Sequence, residues 1–215
     1  MPGTIEEALT GALRDSCFIG QIAIQKTDRG FALFHRDEER ADRLQIFRRP
    51  EDALEIARCD DAGNYRPQKT APNLRHGWKI ELIDLGELRR ALDYFYPGRL
   101  AMLAPWTENR LSTTSLRETL DRQSGMYRVA ANISDEQIDD VVGRFCRSDG
   151  GCLRTILWKR DQQGVVPSRK LPLEKFDPAH DQTGRGKRAI PLLCQEACNL
   201  LVAECRKVVK AQTSE

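Results

Sequence analysis

The chain has 215 residues, 34 Lys+Arg against 32 Asp+Glu for a net charge of +2, 40% hydrophobic residues and a mean hydropathy of -0.55. That is enough chain to bury one large core or two small ones, and too many aliphatic residues for wholesale disorder. No apolar run approaches the ~18 residues that span a bilayer, and the acidic start MPGTIEEALTGALRD lacks the basic-then-apolar order of a secretion signal, so a cytoplasmic address is expected.

In chain order, a short helix is predicted over about residues 5–14. FIGQIAIQ and GFALFH, residues 18–25 and 30–35, read as two strands of a hairpin with its turn at Thr27-Asp28-Arg29-Gly30. Pro50 opens PEDALEIAR as a first helical residue, with acids in the first turn and Arg58 near the end to match the helix dipole. Residues 63–73 read as a loop, 78–85 as a third strand, and 85–96 as a helix with Leu88, Leu92 and Phe95 on one face, stopped by Pro97-Gly98. His35 and His76 fall in different segments with no Cys or acid at metal-ligand spacing, so this part reads as scaffold.

A loop over 105–114 then leads to a helix over about 116–123 and a turn at Ser124-Gly125. Ser134 and Gln137 have the spacing of a capping box, opening a helix through Ile138, Val141, Val142 and Phe145 that delivers Cys146 at its end. Arg147 to Gly151 is a glycine-containing turn, Cys152 follows, and 153–158 is a predicted strand. A long charged connection occupies 161–189, and a final helix is predicted from Pro191 to about Lys210. The fold class is α+β: a small N-terminal α+β scaffold over 1–105, then a mostly helical cysteine-rich domain over 106–215.

Residues 141–215 carry 14 Lys+Arg against 8 Asp+Glu and hold five of the seven cysteines. An odd cysteine total without a secretion signal argues against a disulfide framework and raises metal chemistry. Cys146 and Cys152 flank a turn whose backbone N–H groups could face a negatively charged cluster, and Cys194 and Cys198 stand at i and i+4, on one face of the predicted last helix. Cys205 lies too far along that helix to share a compact site with both, and reads with Cys17 and Cys59 as a core thiol. Spacing alone leaves three readings open: an iron-sulfur cluster, structural zinc, or buried structural cysteines on an apolar helix face. The C-x5-C and helical C-x3-C spacings are unusual for zinc knuckles and tilt the metal readings towards iron-sulfur.

The segments RQSGMYRVAANIS (122–134), FCRSDGGCLRTILW (145–158) and IPLLCQEACNLLVAECRKVV (190–209) resemble the 4Fe-4S cluster-binding domain that accompanies sirohydrochlorin-chelatase-like proteins. In that family a chelatase-like domain can precede a small stabilising α+β domain and then the cluster domain, and residues 15–100 resemble the stabilising domain more loosely. The resemblance implies a 4Fe-4S cofactor on Cys146, Cys152, Cys194 and Cys198. It also implies that any chelatase activity comes from a separate partner, since no chelatase-like segment is found in these residues.

Gly184-Arg185-Gly186-Lys187-Arg188 is not a Walker A loop, because Asp181 and Arg188 stand where Gly and Ser or Thr are required; it reads as a solvated loop or a partner-docking arm. Arg147, Arg154, Lys159, Arg160 and Arg185 could offset a cluster's charge or receive an anionic tetrapyrrole. No stacking surface or helix-turn-helix accompanies the basic region, which disfavours nucleic acid. His180 is a lone loop histidine with no orienting carboxylate, and no nucleophile stands beside a base, which favours an electron-transfer or accessory protein over an enzyme. Trp158 reads equally as a shield of the cluster or as a core side chain. The functional expectation is an accessory redox or sensing partner of a chelatase-like enzyme in tetrapyrrole or metal-cofactor metabolism; the alternative is a structural zinc-binding interaction protein.

Overall fold

The structure is a computed structural model and describes residues 3–13, 16–39, 43–66, 73–147, 152–162, 164 and 188–212. The chain divides into two compact units, one of Met1–Leu111 with Asp177–Leu192, the other of Ser112–Phe176 with Leu193–Glu215. Arg188–Ile190, within the span expected for the second domain, pairs as a strand with Cys17–Ile19 of the first unit.

In the first unit, α1 (Ile5–Ala12) opens on a capping box in which the Thr4 hydroxyl and Glu7 carboxylate each accept the other residue's backbone N–H. FIGQIAIQ is not one strand but two, β1 (Ser16–Ile19) and β2 (Ile22–Thr27), joined by a two-residue turn at Gly20-Gln21. Gly20 has φ +56, and a Cβ there would lie 2.5 Å from Tyr96 Oη, so both backbone and space require glycine. The expected hairpin turn at Thr27–Gly30 leads into β3 (Gly30–His35), and a Cβ on Gly30 would meet the Leu82 carbonyl at 2.1 Å. Beyond these come β4 (Gln45–Phe47), α2 (Asp52–Ile56), β5 (Trp78–Leu82) and α3 (Leu85–Phe95). Pro50 precedes α2 rather than starting it. The loop expected from 105 holds α4 (Leu103–Thr107), which tolerates Pro105 because the N–H groups of a first turn have no intrahelical acceptor.

These strands and β7 (Arg188–Ile190) form one six-stranded mixed sheet in the order β4-β5-β3-β2-β1-β7, parallel at its two outer pairs and antiparallel within. Alternate residues of β5, namely Trp78, Ile80 and Leu82, are buried, as are Leu88, Ala91, Leu92 and Phe95 of α3. Trp78 stacks on Phe95 with ring centroids 5.2 Å apart.

The second unit contains α5 (Leu116–Asp121), a 3-10 segment (Gly125–Asn132), α6 (Asp135–Phe145), β6 (Thr155–Ile156), β8 (Leu193–Cys194) and α7 (Asn199–Gln212). The Ser134–Gln137 capping box is present at the start of α6, and Cys146 is its C-cap. Leu116, Leu120, Ile138, Val142, Trp158 and Leu201 anchor the core. Two sequence expectations change here. Only Thr155–Ile156 of the strand predicted over 153–158 is paired, and the final helix starts at Asn199, after both cysteines, because 193–194 joins β6 as a strand.

Candidate metal centre

Three backbone devices position four of the five cysteines of the second unit. Cys146 caps α6, and the Cys152 N–H donates to the Phe145 carbonyl at 3.2 Å, folding the chain back beside Cys146. The parallel ladder of β6 and β8 pairs Ile156 with Cys194, and the Leu157 N–H donates to the Cys194 carbonyl at 3.0 Å. The Cys198 carbonyl accepts the Val202 N–H at 3.1 Å, which places Cys198 at the N-terminal cap of α7 rather than within it. Cys198 thus stands at the electropositive end of a 14-residue helix, where anionic ligands are stabilised. Of the turn expected over 147–151, only Arg147 lies within the described residues, half-buried beside Cys146.

The thiols share one electrostatic neighbourhood. Burial pushes the Cys146 thiol far above the ordinary thiol range, and Cys152, Cys198 and Cys194 each raise it further. Burial likewise raises Cys194, with Cys198 and Cys152 adding to the rise, while the Trp158 hydrogen bond and the Arg154 charge oppose it. Trp158, fully buried, donates its indole N–H to Cys194 Sγ at 3.3 Å, so it is at once a core side chain and a direct partner of the site. The Arg154 backbone N–H approaches Cys152 Sγ at 3.5 Å. No disulfide joins any of the seven cysteines. Among the described residues no three His, Cys, Asp or Glu side chains are gathered tightly enough to hold a single metal ion. N–H groups are directed at two of the sulfurs, those of Cys152 and Cys194, as suits thiolates that ligate a cluster.

Of the other cysteines, Cys17 and Cys205 are core thiols, 1% and 0% exposed, with burial pushing Cys205 up to about 11. Cys59 is not: it is half-buried, in an isolated bridge to Tyr65. His180, Arg185 and the glycine-rich run through Lys187 lie outside the described residues. Lys159 is exposed, whereas Arg160 is held by Asp139 at 3.2 Å. The fold also joins what the sequence separates in the first unit. The His35 and His76 rings lie 3.8 Å apart, and Asp61 accepts both the backbone N–H and the ring Nδ1 of His76 at 2.6 Å. His76 lines a cavity of about 610 Å³ with Asp37, Glu38, Glu39 and Arg43. No local spacing could reveal this pairing, because it arises from the β3–β5 register and the loop carrying Asp61.

Thiols that raise one another, with N–H groups directed at two of the sulfurs, are features of a thiolate metal centre. Residues 108–207 match the 4Fe-4S iron-sulfur cluster binding domain, and residues 6–110 match the DR2241 stabilising domain. The chain therefore joins a stabilising domain of that family to a 4Fe-4S cluster-binding domain, and its cofactor is a 4Fe-4S cluster. It is similar to the crystal structure of DR2241 from Deinococcus radiodurans, described as a multi-domain protein with structural similarity to chelatases and two additional novel domains. The TM-score is 0.73 at 27% identity over 96% of this chain, which spans 41% of that protein's length. No curated protein matches. Among the described residues, no helix is long and apolar enough to cross a membrane.

Proposed function

We propose that Cys146, Cys152, Cys194 and Cys198 hold the 4Fe-4S cluster, and that the protein is an accessory redox or sensing partner of a chelatase-like enzyme in tetrapyrrole or metal-cofactor metabolism. The ligand set is supported by the effect of Cys152, Cys198 and Cys194 on the Cys146 thiol, together with the Cys152 N–H that returns to the Phe145 carbonyl and the pairing of Ile156 with Cys194. A bound 4Fe-4S cluster supplies one-electron transfer at a potential set by burial and by hydrogen bonds to its sulfurs. The residues around the thiols provide both: Trp158 excludes water and donates to Cys194, and the Arg154 backbone donates to Cys152. Arg147 and Arg154 set positive charge next to the cysteines, which favours retention of an anionic group and would also attract a carboxylate-bearing tetrapyrrole. The chelatase connection is supported by the similarity to DR2241, a protein described as structurally similar to chelatases.

The test combines anaerobic voltammetry with co-elution against a purified chelatase-like protein. The reading expects a reversible one-electron wave and a complex that requires the cluster. No wave, together with equal binding by wild type and Cys194→Ala, would overturn the accessory redox role.

A further inference from the structure

Most arginines of the cluster unit have conspicuous partners. Arg117 donates to the Ile133 carbonyl at 2.7 Å and pairs with Asp135; Arg160 pairs with Asp139; Arg144 pairs with Asp140. Arg154 differs. Its Nε is buried and makes no hydrogen bond, as is true of the Arg160 Nε, but Arg160 has Asp139 at its Nη1, whereas among the described residues no carboxylate pairs with the Arg154 guanidinium. Leaving a charged donor buried and unbonded costs more than leaving a neutral one, so such a group implies a partner that arrives with a ligand. The position of Arg154 says which ligand. Its own backbone N–H approaches Cys152 Sγ at 3.5 Å, so the residue is anchored on one thiol. Its charge is felt at Cys194, which follows the other segment of the site. Arg154 thus has its backbone at Cys152 and its charge acting at Cys194, cysteines of two segments that the β6–β8 ladder brings side by side.

We infer that the Arg154 guanidinium is the internal counter-charge of the bound cluster, its Nε–H donating to the cluster or to a ligating sulfur. The inference rests on the ligand set proposed above. A 4Fe-4S cluster on four thiolates is anionic, and reduction adds one electron without moving an atom, so a fixed cation beside it favours the reduced form and raises the potential. Arg154 is a positioning residue acting on the cluster's charge, and the readout is the midpoint potential, which a purely structural side chain would not move in a charge-dependent order.

The experiment measures iron, sulfide and midpoint potential, at an electrode that supplies the electron, for wild type, Arg154→Lys, Arg154→Gln and the surface control Arg144→Gln. The inference expects lower potentials in both Arg154 variants, with Gln shifted further than Lys, because Lys keeps the charge but loses the Nε–H. Arg144→Gln should match wild type. An unchanged potential in Arg154→Gln with the cluster intact would overturn the inference, and so would equal shifts in Arg154→Gln and Arg144→Gln. If Arg154→Gln fails to retain iron, a loaded Arg154→Lys with a lowered potential still supports it, whereas loss of iron from both variants assigns Arg154 to folding and overturns it. Wild type without iron would overturn the ligand set as well, a failure visible before any variant is compared.

Discussion

In the sheet unit a buried polar network closes within the protein: Tyr96 Oη accepts the Gln21 N–H at 3.0 Å, and the Gln21 side chain accepts the Asn73 and Leu74 N–H groups at 2.9 Å each. In the cluster unit the corresponding groups are thiols that raise one another and an arginine whose Nε has no partner. The first of these, the Gln21 network, is complete without a ligand. The second becomes self-repulsive once the thiols ionise, and a cationic iron core reverses that repulsion. One chain thus holds a region whose stability is internal beside one whose order is linked to its cofactor, a difference that can be pulled apart experimentally.

The largest effect expected is loss of the cofactor from the cluster unit alone. Replacing Cys146 or Cys198 with Ala should lower bound iron by about tenfold or more, measured per chain after anaerobic purification, while the sheet unit keeps its circular dichroism. Close behind it, removing the cluster with a chelator should abolish hydrogen-exchange protection in α6 and α7 and leave β2, β3 and β5 protected. Equal loss in both units would break the comparison.

A smaller effect should be confined to the sheet unit. Burial, with the neighbouring His76 adding, lowers the His35 pKa from 6.5 to about 4, so the ring stays neutral in the folded protein. The unfolded chain takes up a proton from about pH 6.5 downwards and the folded one does not, so stability is full above that pH and is lost as pH falls towards 4. The loss is at most about 3 kcal/mol, read from urea midpoints across that range, and His35→Gln should flatten it. Smallest in stability is Trp158→Phe, which keeps an aromatic ring in the core but removes the bond to Cys194 Sγ; it should cost about 1 kcal/mol and lower the cluster potential.

What could be read from sequence followed local chemistry. The Ser134–Gln137 box and the Thr27–Gly30 turn are short-range signals, and both are present in the structure. The Gly20-Gln21 turn interrupts an apolar run with a single glycine and a single polar residue, too little to mark it locally, and β4 and β7 are three-residue strands that pair with distant chain. The cysteine region shows the same limit. The four candidate ligands were legible, but Cys194 and Cys198 at i and i+4 mimicked a helix face, and only the long-range pairing of Ile156 with Cys194 replaces that helix with a strand and a cap. Arg154 was legible as one basic residue among five near the cysteines, and its unbonded Nε emerges only from packing.

The most direct test of the account is to purify wild type and Cys194→Ala under strict anaerobiosis and to quantify iron, acid-labile sulfide and zinc per chain with the visible spectrum. The account predicts iron and sulfide in the ratio of a 4Fe-4S cluster with broad visible absorption in wild type, and loss of both in the variant. Stoichiometric zinc without colour, or a variant as rich in iron as wild type, would contradict it.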